Sequence, residues 1–249
     1  MKASPDPAGG EKGKMKNYLS FGGGVNSVAT MLLLLDEGVE FEAVYVDHGC
    51  DWPETREYIA ALQAKYPITI IKPNVEGYSN LYDYLANKGK IAMRFPRWCT
   101  VDWKKRPLAN YYQKPAWVNI GYAYDESKRA VITSEPGYEY RFPLIEREIT
   151  RRGCIEIIKA HNLSVPIKSG CWFCPFQGIK DYKLLRKKHP DLFCLAVKLE
   201  EDHKQMVWDR YMRCDATNIL HKPLSKIIDD KDQGHLFDDM AYQPCQCGL

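Results

Sequence analysis

Short apolar runs alternate with segments of helical periodicity along the first half of the chain. β-Branched or alternating runs predict strands, and apolar residues spaced three and four apart predict the helices between them. The predicted strands are 17–21, 41–46, 68–71 and 117–120, and the predicted helices are 27–36, 53–65, 80–87 and 100–112. This alternation indicates βαβ units, so we expect an α/β fold: a Rossmann-like parallel sheet with helices on both faces.

The second half of the chain is richer in helical patterns. Residues 138–144 fit either a strand or an extended loop, whereas 150–160, 179–188 and 192–211 have helical patterns. We divide the chain into a polar leader at 1–14, an α/β core at 15–160 and a helical, cysteine-rich region at 161–249. The leader is rich in proline and glycine and lacks the apolar centre of a signal peptide, so we expect it to be disordered.

Length and charge narrow the class of protein. A chain of 249 residues can bury a full core, and its formal net charge of +3 is too small to indicate a nucleic-acid binder by itself. Basic residues nevertheless cluster at 104–106 and, as Arg147, Arg151 and Arg152, around the start of a predicted helix. No apolar run is long enough to span a bilayer, so we expect a cytoplasmic protein without membrane association.

The loop after the first predicted strand reads Ser-Phe-Gly-Gly-Gly-Val-Asn-Ser over residues 20–27. Consecutive glycines let backbone N–H groups approach an anion, and the helix that follows adds a favourable dipole. The loop has neither the Walker ending nor the Gly-x-Gly-x-x-Gly spacing. A glycine turn without a ligand is the alternative, but the junction favours a nucleotide phosphate site. Its predicted residues are Ser20, Gly22, Gly23, Gly24, Asn26 and Ser27.

Two later segments also follow predicted strands. Asp47 ends the second strand, where α/β sheets bind ligands, so it either contacts the nucleotide or caps the next helix. Gly121 and Arg129 follow the fourth strand. Arg129 is placed to pair with a phosphate, and an internal pair with Asp125 is the alternative. We therefore add Asp47, Gly121 and Arg129 to the predicted nucleotide site.

The nine cysteines divide into two groups. Disulfides are not the expected explanation for them in a reducing compartment. Four cysteines have mixed or apolar neighbours and predict buried, inert thiols: Cys50, Cys154, Cys194 and Cys214. Five have turn-forming neighbours and metal-like spacings: Cys99, Cys171, Cys174, Cys245 and Cys247.

The Cys171-Trp-Phe-Cys174-Pro175 segment places two thiols in a tight turn, where both sulfurs can reach one metal. Such a pair alone fits zinc, an iron–sulfur cluster or a redox pair. Cys99 and one tail cysteine would complete a four-thiolate site, which suits either zinc or [4Fe–4S].

Together these segments resemble the PP-loop adenine nucleotide α-hydrolases, in the branch of the phosphoadenosine-phosphosulfate (PAPS) reductases. The loop is similar to the branch pattern Ser-Phe-Ser-Gly-Gly-Lys-Asp-Ser, and it departs from it at Gly22, Val25 and Asn26. The segments around Cys99 and Cys171, and the Cys247-Gly248 ending, resemble a bacterial and phage subgroup. The resemblance extends from about residue 17 to the end of the chain.

The resemblance implies a protein that binds ATP or PAPS and uses a [4Fe–4S] cluster in sulfur transfer or reduction. The implied metal ligands are Cys99, Cys171, Cys174 and Cys247, with Cys245 as an alternative fourth ligand. The reaction is either sulfonucleotide reduction, with Cys247 as the catalytic nucleophile, or thiolation of a nucleic acid. A sulfur- or electron-donor protein is an implied partner, and Mg²⁺ is an implied companion of ATP.

Several departures from the branch pattern favour a different function. Val25 and Asn26 replace a lysine and an aspartate, which removes a phosphate cation and a magnesium ligand. Trp98 stands where cluster-bearing reductases have a second cysteine, and the tail lacks their final histidine. The alternative is a non-catalytic nucleotide-binding subunit with a structural zinc. A third hypothesis is a basic, aromatic surface that binds nucleic acid, and solvated helix faces are the alternative explanation of the same residues. The residues of this surface are 104–106, Arg147, Arg151, Arg152, Trp103, Tyr111 and Tyr112.

Overall fold

A six-stranded sheet is the centre of the protein. The computed structural model describes residues 15–131, 134–167, 169–203 and 224. The strand order is β3-β2-β1-β4-β6-β5, and every neighbouring pair is parallel except β5 and β6. The strands are β1 (Lys16–Phe21), β2 (Glu42–Val46), β3 (Ile68–Ile71), β4 (Ala116–Ile120), β5 (Ser134–Glu135) and β6 (Tyr138–Arg141).

The parallel strands are apolar because both of their faces are covered. Leu19 of β1 lies in register with Ala43 of β2 and Asn119 of β4, and all three side chains are buried. Strands of this kind have almost continuous apolar sequences, which is why their positions could be predicted. The predicted Rossmann-like α/β fold is confirmed.

Helices cover both faces of the sheet, and most lie where the periodicity predicted them. They are α1 (Val25–Asp36), α2 (Pro53–Gln63), α3 (Leu81–Lys88), α4 (Trp98–Thr100), α5 (Arg106–Tyr111), α6 (Pro143–Glu146), α7 (Arg151–Ala160), α8 (Ile179–Lys188) and α9 (Pro190–Asp202). The helix predicted at 192–211 corresponds to α9, and its part after His203 lies outside the described residues. The leader at 1–14 also lies outside them.

Two segments differ from their prediction. The helix predicted at 100–112 is divided into α4, a π-helical turn at Val101–Lys105 and α5. Pro107 explains the division, because it has no N–H for the helical bond and its ring crowds the preceding turn. The ambiguous segment 138–144 contains β6 and then begins α6, with Pro143 at the first helical turn.

The two faces of the sheet have separate cores. Leu19 of β1 packs on one face with Leu32 of α1, Ile59 of α2 and Ile158 of α7. On the opposite face, Tyr18 lies in a second core, where its ring stacks on Tyr112 with 4.4 Å between centroids. The alternation of side chains along β1 therefore assigns different helices to each face.

A third core attaches the segment with Cys171 to the sheet. It combines Trp52 after β2 and Leu85 of α3 with Leu185 of α8 and Phe193 of α9. The described part of the C-terminal region thus packs directly on the end of β2. None of the described helices has both the length and the apolar composition needed to cross a lipid bilayer.

The packing of α7 on α1 predicts how much stability is lost when a buried side chain between these helices is shortened. Ile158→Ala should lower the free energy of unfolding by about 2–5 kcal/mol, because the fully buried side chain leaves a cavity. Leu35→Ala, on the half-exposed side of α1, should cost much less. Urea unfolding followed by circular dichroism measures both. Equal losses would contradict the proposed packing.

Candidate functional site

The main pocket lies where the strand order reverses. The chain passes from β1 to β2 and β3 on one side of the sheet, and β4 then pairs with the other edge of β1. In open α/β sheets, ligands bind at the carboxyl ends of the strands at such a point. The pocket there contains seven of the nine predicted nucleotide-site residues: Ser20, Gly22, Gly24, Asn26, Ser27, Gly121 and Arg129.

The glycine loop is held in shape by Ser27. The Ser27 hydroxyl donates a hydrogen bond to the Gly24 carbonyl at 3.0 Å and accepts one from the Gly22 N–H at 3.3 Å. Gly23 faces away from the pocket: its φ is +68°, and an added Cβ would lie 2.7 Å from Ile59 Cδ1. Gly23 therefore sets the backbone path of the loop, and it is not among the residues that line the pocket.

Gly121 allows the end of β4 to touch the start of α1. An added Cβ would lie 2.9 Å from both the Cα and the N of Ser27, which are backbone atoms that cannot turn away. Gly24 is approached in the same manner by Ser169, whose Oγ would lie 2.5 Å from an added Cβ. The pocket walls therefore meet at glycines from two different strand ends.

Four cations surround the pocket. Lys104, Lys105, Arg129 and Arg151 line it together with one acid, Glu126. The sequence placed Lys104, Lys105 and Arg151 in basic clusters but did not assign them to this site. The reason is that the π-helical turn and α7 reach the pocket only through the tertiary fold.

Asn26 lies at the centre of a charged network in the pocket. Arg151 Nη1 donates a hydrogen bond to Asn26 Oδ1 at 2.8 Å, while Asn26 Nδ2 donates one to Glu126. Glu126 also pairs with Arg129, whose guanidinium lies 4.3 Å from the ring centroid of Tyr122. An amide satisfies both neighbours, whereas an aspartate at this position would face the Glu126 carboxylate.

Asp47 and Asp125 lie outside this network. Asp47 accepts a hydrogen bond from the Gly49 N–H at 3.0 Å and lies 3.8 Å from Arg56, and it is not among the residues lining the pocket. Asp125 accepts the Arg151 N–H at 3.1 Å, so the ion-pair partner of Arg129 is Glu126 instead.

A second, mostly apolar cavity adjoins the pocket and contains three of the predicted metal ligands. Cys99, Cys171 and Cys174 line it, and Lys104 lines both this cavity and the pocket. Burial raises the pKa of the Cys99 thiol, while the charges of Lys104 and Arg97 act in the opposite direction. Cys245 and Cys247 lie outside the described residues.

His48 and Asp51 belong to the same centre, which the sequence did not predict. His48 Nε2 lies 3.5 Å from Asp51 Oδ1 and 3.7 Å from Cys171 Sγ. These three donor atoms all lie within 4.8 Å of one another, close enough to consider a single metal ion. The sequence placed His48 and Asp51 after β2, but only the fold brings Cys171 to them.

The backbone around His48 favours a hydrogen bond over a metal at Nε2. His48 Nδ1 accepts the Cys50 N–H at 3.2 Å, so in the neutral ring the proton is on Nε2. A histidine that binds a metal through Nε2 normally donates a hydrogen bond from its other nitrogen. The Nε2–H of His48 therefore points to the Asp51 carboxylate and the Cys171 sulfur.

Asp51 connects the two cavities. Burial alone would raise the pKa of the Asp51 carboxyl, but His48, Lys104 and the Tyr45 hydroxyl hold it well below its ordinary value. Tyr45, whose hydroxyl donates to Asp51, also lines the glycine-loop pocket, and burial raises the pKa of that hydroxyl far above its usual range. A chain of contacts thus runs from the pocket through Tyr45, Asp51 and His48 to Cys171.

Of the other described cysteines, two are buried as predicted and one is not. Cys50 and Cys154 are buried, and burial raises the pKa of each thiol to about 12, as expected for inert thiols. The expectation of burial for Cys194 is wrong, because it lies on the outer side of α9 and is exposed. Cys214 lies outside the described residues.

The basic, aromatic surface considered from the sequence is not assembled. Trp103 is fully buried, and Lys104 and Lys105 line the pocket. Arg147 pairs with Glu37 and Arg152 with Glu156, on other parts of the molecule.

The close approach of Gly121 to Ser27 predicts that alanine substitutions at Gly121 and at Gly22 have different effects. Gly121→Ala should weaken binding of any ligand in the pocket and lower the free energy of unfolding by about 1–3 kcal/mol, because the new Cβ collides with the Ser27 backbone. Gly22→Ala is the control, since nothing lies within 4 Å of its added Cβ. Thermal unfolding of both variants measures the difference, and equal melting temperatures would contradict this close approach.

Comparison with known proteins agrees with this architecture. Residues 16–132 match the family model of the phosphoadenosine phosphosulfate reductase domain. This segment contains the glycine loop, Cys99 and Gly121. PAPS reductase from Candida auris, solved as a phosphate complex, has the same fold with a TM-score of 0.51. That comparison covers 64% of this chain and 83% of the other at 15% identity.

Two curated relatives come from the archaeon Methanocaldococcus jannaschii. The uncharacterized protein MJ0973 is 26% identical over 88% of this chain and 57% of its own length. The uncharacterized protein MJ0066 is 30% identical over 42% of this chain and 21% of its own length. The chain therefore spans little more than half of one relative and about a fifth of the other. Both are archaeal, so the narrower bacterial and phage subgroup stays a prediction.

Proposed function

We propose that the protein binds ATP or PAPS in the glycine-loop pocket and performs sulfur transfer or reduction beside it. The match of residues 16–132 to the family model of the phosphoadenosine phosphosulfate reductase domain supports this proposal. The observation that carries this proposal is the juxtaposition of two cavities. One has four cations around a glycine loop, and the other is lined by three cysteines, of which Cys171 and Cys174 are buried and Cys99 is partly buried. Lys104 lines both, so a nucleotide's anionic end would lie next to the thiols.

The charges in the pocket suit a nucleotide held without a magnesium ion. The loop and the N-terminus of α1 offer backbone N–H groups to phosphates. Arg151, Lys104 and Lys105 supply the positive charge that Val25 does not. Asn26 replaces the aspartate of the branch pattern, so the loop itself offers no carboxylate for Mg²⁺, and the one acid among the described residues of the pocket, Glu126, is paired with Arg129. These contacts favour PAPS over magnesium–ATP.

The cysteine cavity fits a thiolate-bound metal group. Thiolates are the donors that zinc and [4Fe–4S] clusters prefer, and three cysteines line this cavity. Trp103 lines the same cavity, and its indole N–H has no hydrogen-bond partner. A sulfur atom in the cavity would satisfy that N–H. Cys99, Cys171 and Cys174 would hold the group, with Cys247 or Cys245 as the fourth ligand. When bound, a [4Fe–4S] cluster would supply one-electron redox chemistry beside the nucleotide.

The chain's own residues define the sulfonucleotide reaction. Lys104 and Arg151 would orient the sulfonate, and a cysteine thiolate, proposed to be Cys247, would attack its sulfur. A sulfur–sulfur bond forms, the sulfur–oxygen bond breaks, and the nucleotide leaves with its phosphate oxygen. Release of sulfite then requires a dithiol donor protein, which is oxidised to the disulfide. In the thiolation alternative, an oxygen of a nucleic acid attacks the α-phosphate of ATP and pyrophosphate leaves. Sulfide supplied by the donor protein then displaces AMP, which carries that oxygen away.

A second candidate is a nucleotide-binding subunit without its own catalysis. Val25 and Asn26 favour it, because the loop lacks the two side chains that activate ATP in the branch pattern. In that case the cysteines would hold a structural zinc. The identity of the metal separates the two candidates.

Neighbouring arginines on α7 test the nucleotide site. Arg151→Gln should weaken PAPS binding by roughly 10- to 100-fold, because a charged hydrogen bond contributes about 1.5–3 kcal/mol. Arg152→Gln should leave binding unchanged, since Arg152 is exposed and pairs with Glu156. Isothermal titration calorimetry with PAPS and with ATP, each with and without Mg²⁺, measures both variants. Equal affinities for the two variants would remove Arg151 from the site.

Metal analysis tests the thiol centre. The protein purified without oxygen should contain about four iron and four sulfide per chain, and the Cys99→Ser and Cys174→Ser variants should lose them. Cys194→Ser is the control because that thiol is exposed on α9. About one zinc per chain without sulfide would instead support the non-catalytic subunit.

A further inference from the structure

A second cationic site lies outside the nucleotide pocket, immediately before Cys99. Arg94 and Arg97 both lie over the ring of Phe176, with guanidinium carbons 5.9 and 5.1 Å from its centroid. Arg94 Nε, Arg97 Nε and Arg97 Nη2 are buried without a hydrogen-bond partner. Two like charges that share one aromatic ring repel each other, so an anion at their outer side would stabilise both.

The surrounding sequence does not neutralise these arginines. Between residues 84 and 107 the chain has seven lysines and arginines but a single acid, Asp102. Asp102 pairs with Arg106 at 2.9 Å. Among the ion pairs of the described residues, none involves Arg94 or Arg97. No acid among the described residues therefore forms an ion pair with either guanidinium group, and an external anion could do so.

An exposed aromatic residue, Phe95, lies between the two arginines in the sequence. Phe95 is 81% exposed, which is unusual for a large apolar side chain. Pro96 follows it and restricts the backbone, so the ring is presented from a stiff segment. Nearby, Lys90 lies 5.7 Å from the ring centroid of the half-buried Trp98. Cations flanking an exposed ring are the arrangement that binds unpaired bases and their phosphates.

We propose that the segment Arg94-Phe95-Pro96-Arg97 docks a single-stranded nucleic acid. Arg94 and Arg97 contact neighbouring phosphates of the strand, and Phe95 stacks on a base between them. Arg97 precedes Cys99 by two residues, and Cys99 lines the thiol cavity. A strand held by the segment therefore lies beside the centre that would handle sulfur.

The occupant is a nucleic acid and not a free anion or an acidic peptide. Inorganic phosphate would satisfy the guanidinium groups but leaves Phe95 without a function. A run of aspartates and glutamates would complement the charge but has no flat ring for Phe95 to stack on, whereas every nucleotide of a single strand carries one. The binding itself is independent of the nucleotide pocket. Only the further step, that this strand receives the sulfur, rests on the proposed function.

The test is fluorescence anisotropy with a labelled single-stranded oligonucleotide, as DNA and as RNA, over a series of salt concentrations. Phe95→Ala should weaken binding by roughly 5- to 150-fold, the range for loss of one stacked base. The double variant Arg94→Gln, Arg97→Gln should weaken it further and reduce the slope of log affinity against log salt by about 1.4. Arg152→Gln is the control, because it removes one exposed arginine from α7.

Melting temperatures and PAPS binding, measured on the same variants, distinguish a failure of this inference from a failure of the proposed function. Phe95→Ala should keep the wild-type melting temperature, since its ring is exposed, and should still bind PAPS. Oligonucleotide binding without PAPS or ATP binding would overturn the proposed function and leave this inference standing. No binding by the wild type at about 50 mM salt, equal affinity of Phe95→Ala and wild type, or equal competition by polyglutamate would overturn the inference.

Discussion

The site depends on one short backbone contact between the loop after β2 and the segment before Cys174. Asp51 and Cys171 form an isolated antiparallel bridge. On either side of it, Trp172 N–H donates to the Cys50 carbonyl at 3.0 Å and Trp52 N–H donates to the Gly170 carbonyl at 3.3 Å. These bonds bring Ser169 against the glycine loop and Cys171 against His48. Without them, the nucleotide pocket and the thiol cavity would be separate features.

Charge is distributed around this contact in a way that compensates for the unusual loop. Branch members place a lysine and an aspartate within the loop, whereas here the cations come from the π-helical turn and from α7. Asn26 remains neutral between Glu126 and Arg151, so the loop carries no charge of its own. The positive charge surrounds the pocket from several elements, which suits an anion bound at the centre.

The thiol centre depends on a buried carboxylate. Asp51 is almost fully buried, and such a charge is costly unless other groups compensate for it. Tyr45, His48 and Lys104 provide that compensation, and each of them also lines one of the two cavities. Any change in the nucleotide pocket that moves Tyr45 or Lys104 therefore acts on the surroundings of Cys171. The two cavities are coupled by electrostatics as well as by the backbone.

The sequence by itself determined the elements whose signals are local. Apolar strands, the glycine loop at the β1–α1 junction and the Cys171–Cys174 turn follow from periodicity and spacing within a few residues. Tertiary structure decided what no local pattern contains: that Lys104 and Arg151 reach the pocket, that Asp47 stays out of its lining, and that His48 and Asp51 meet Cys171. The physical reason is that these contacts join residues far apart in the chain. Arg151 meets Asn26 from 125 positions away and Cys171 meets His48 from 123, so the contacts exist only once the sheet has brought its strand ends to one edge.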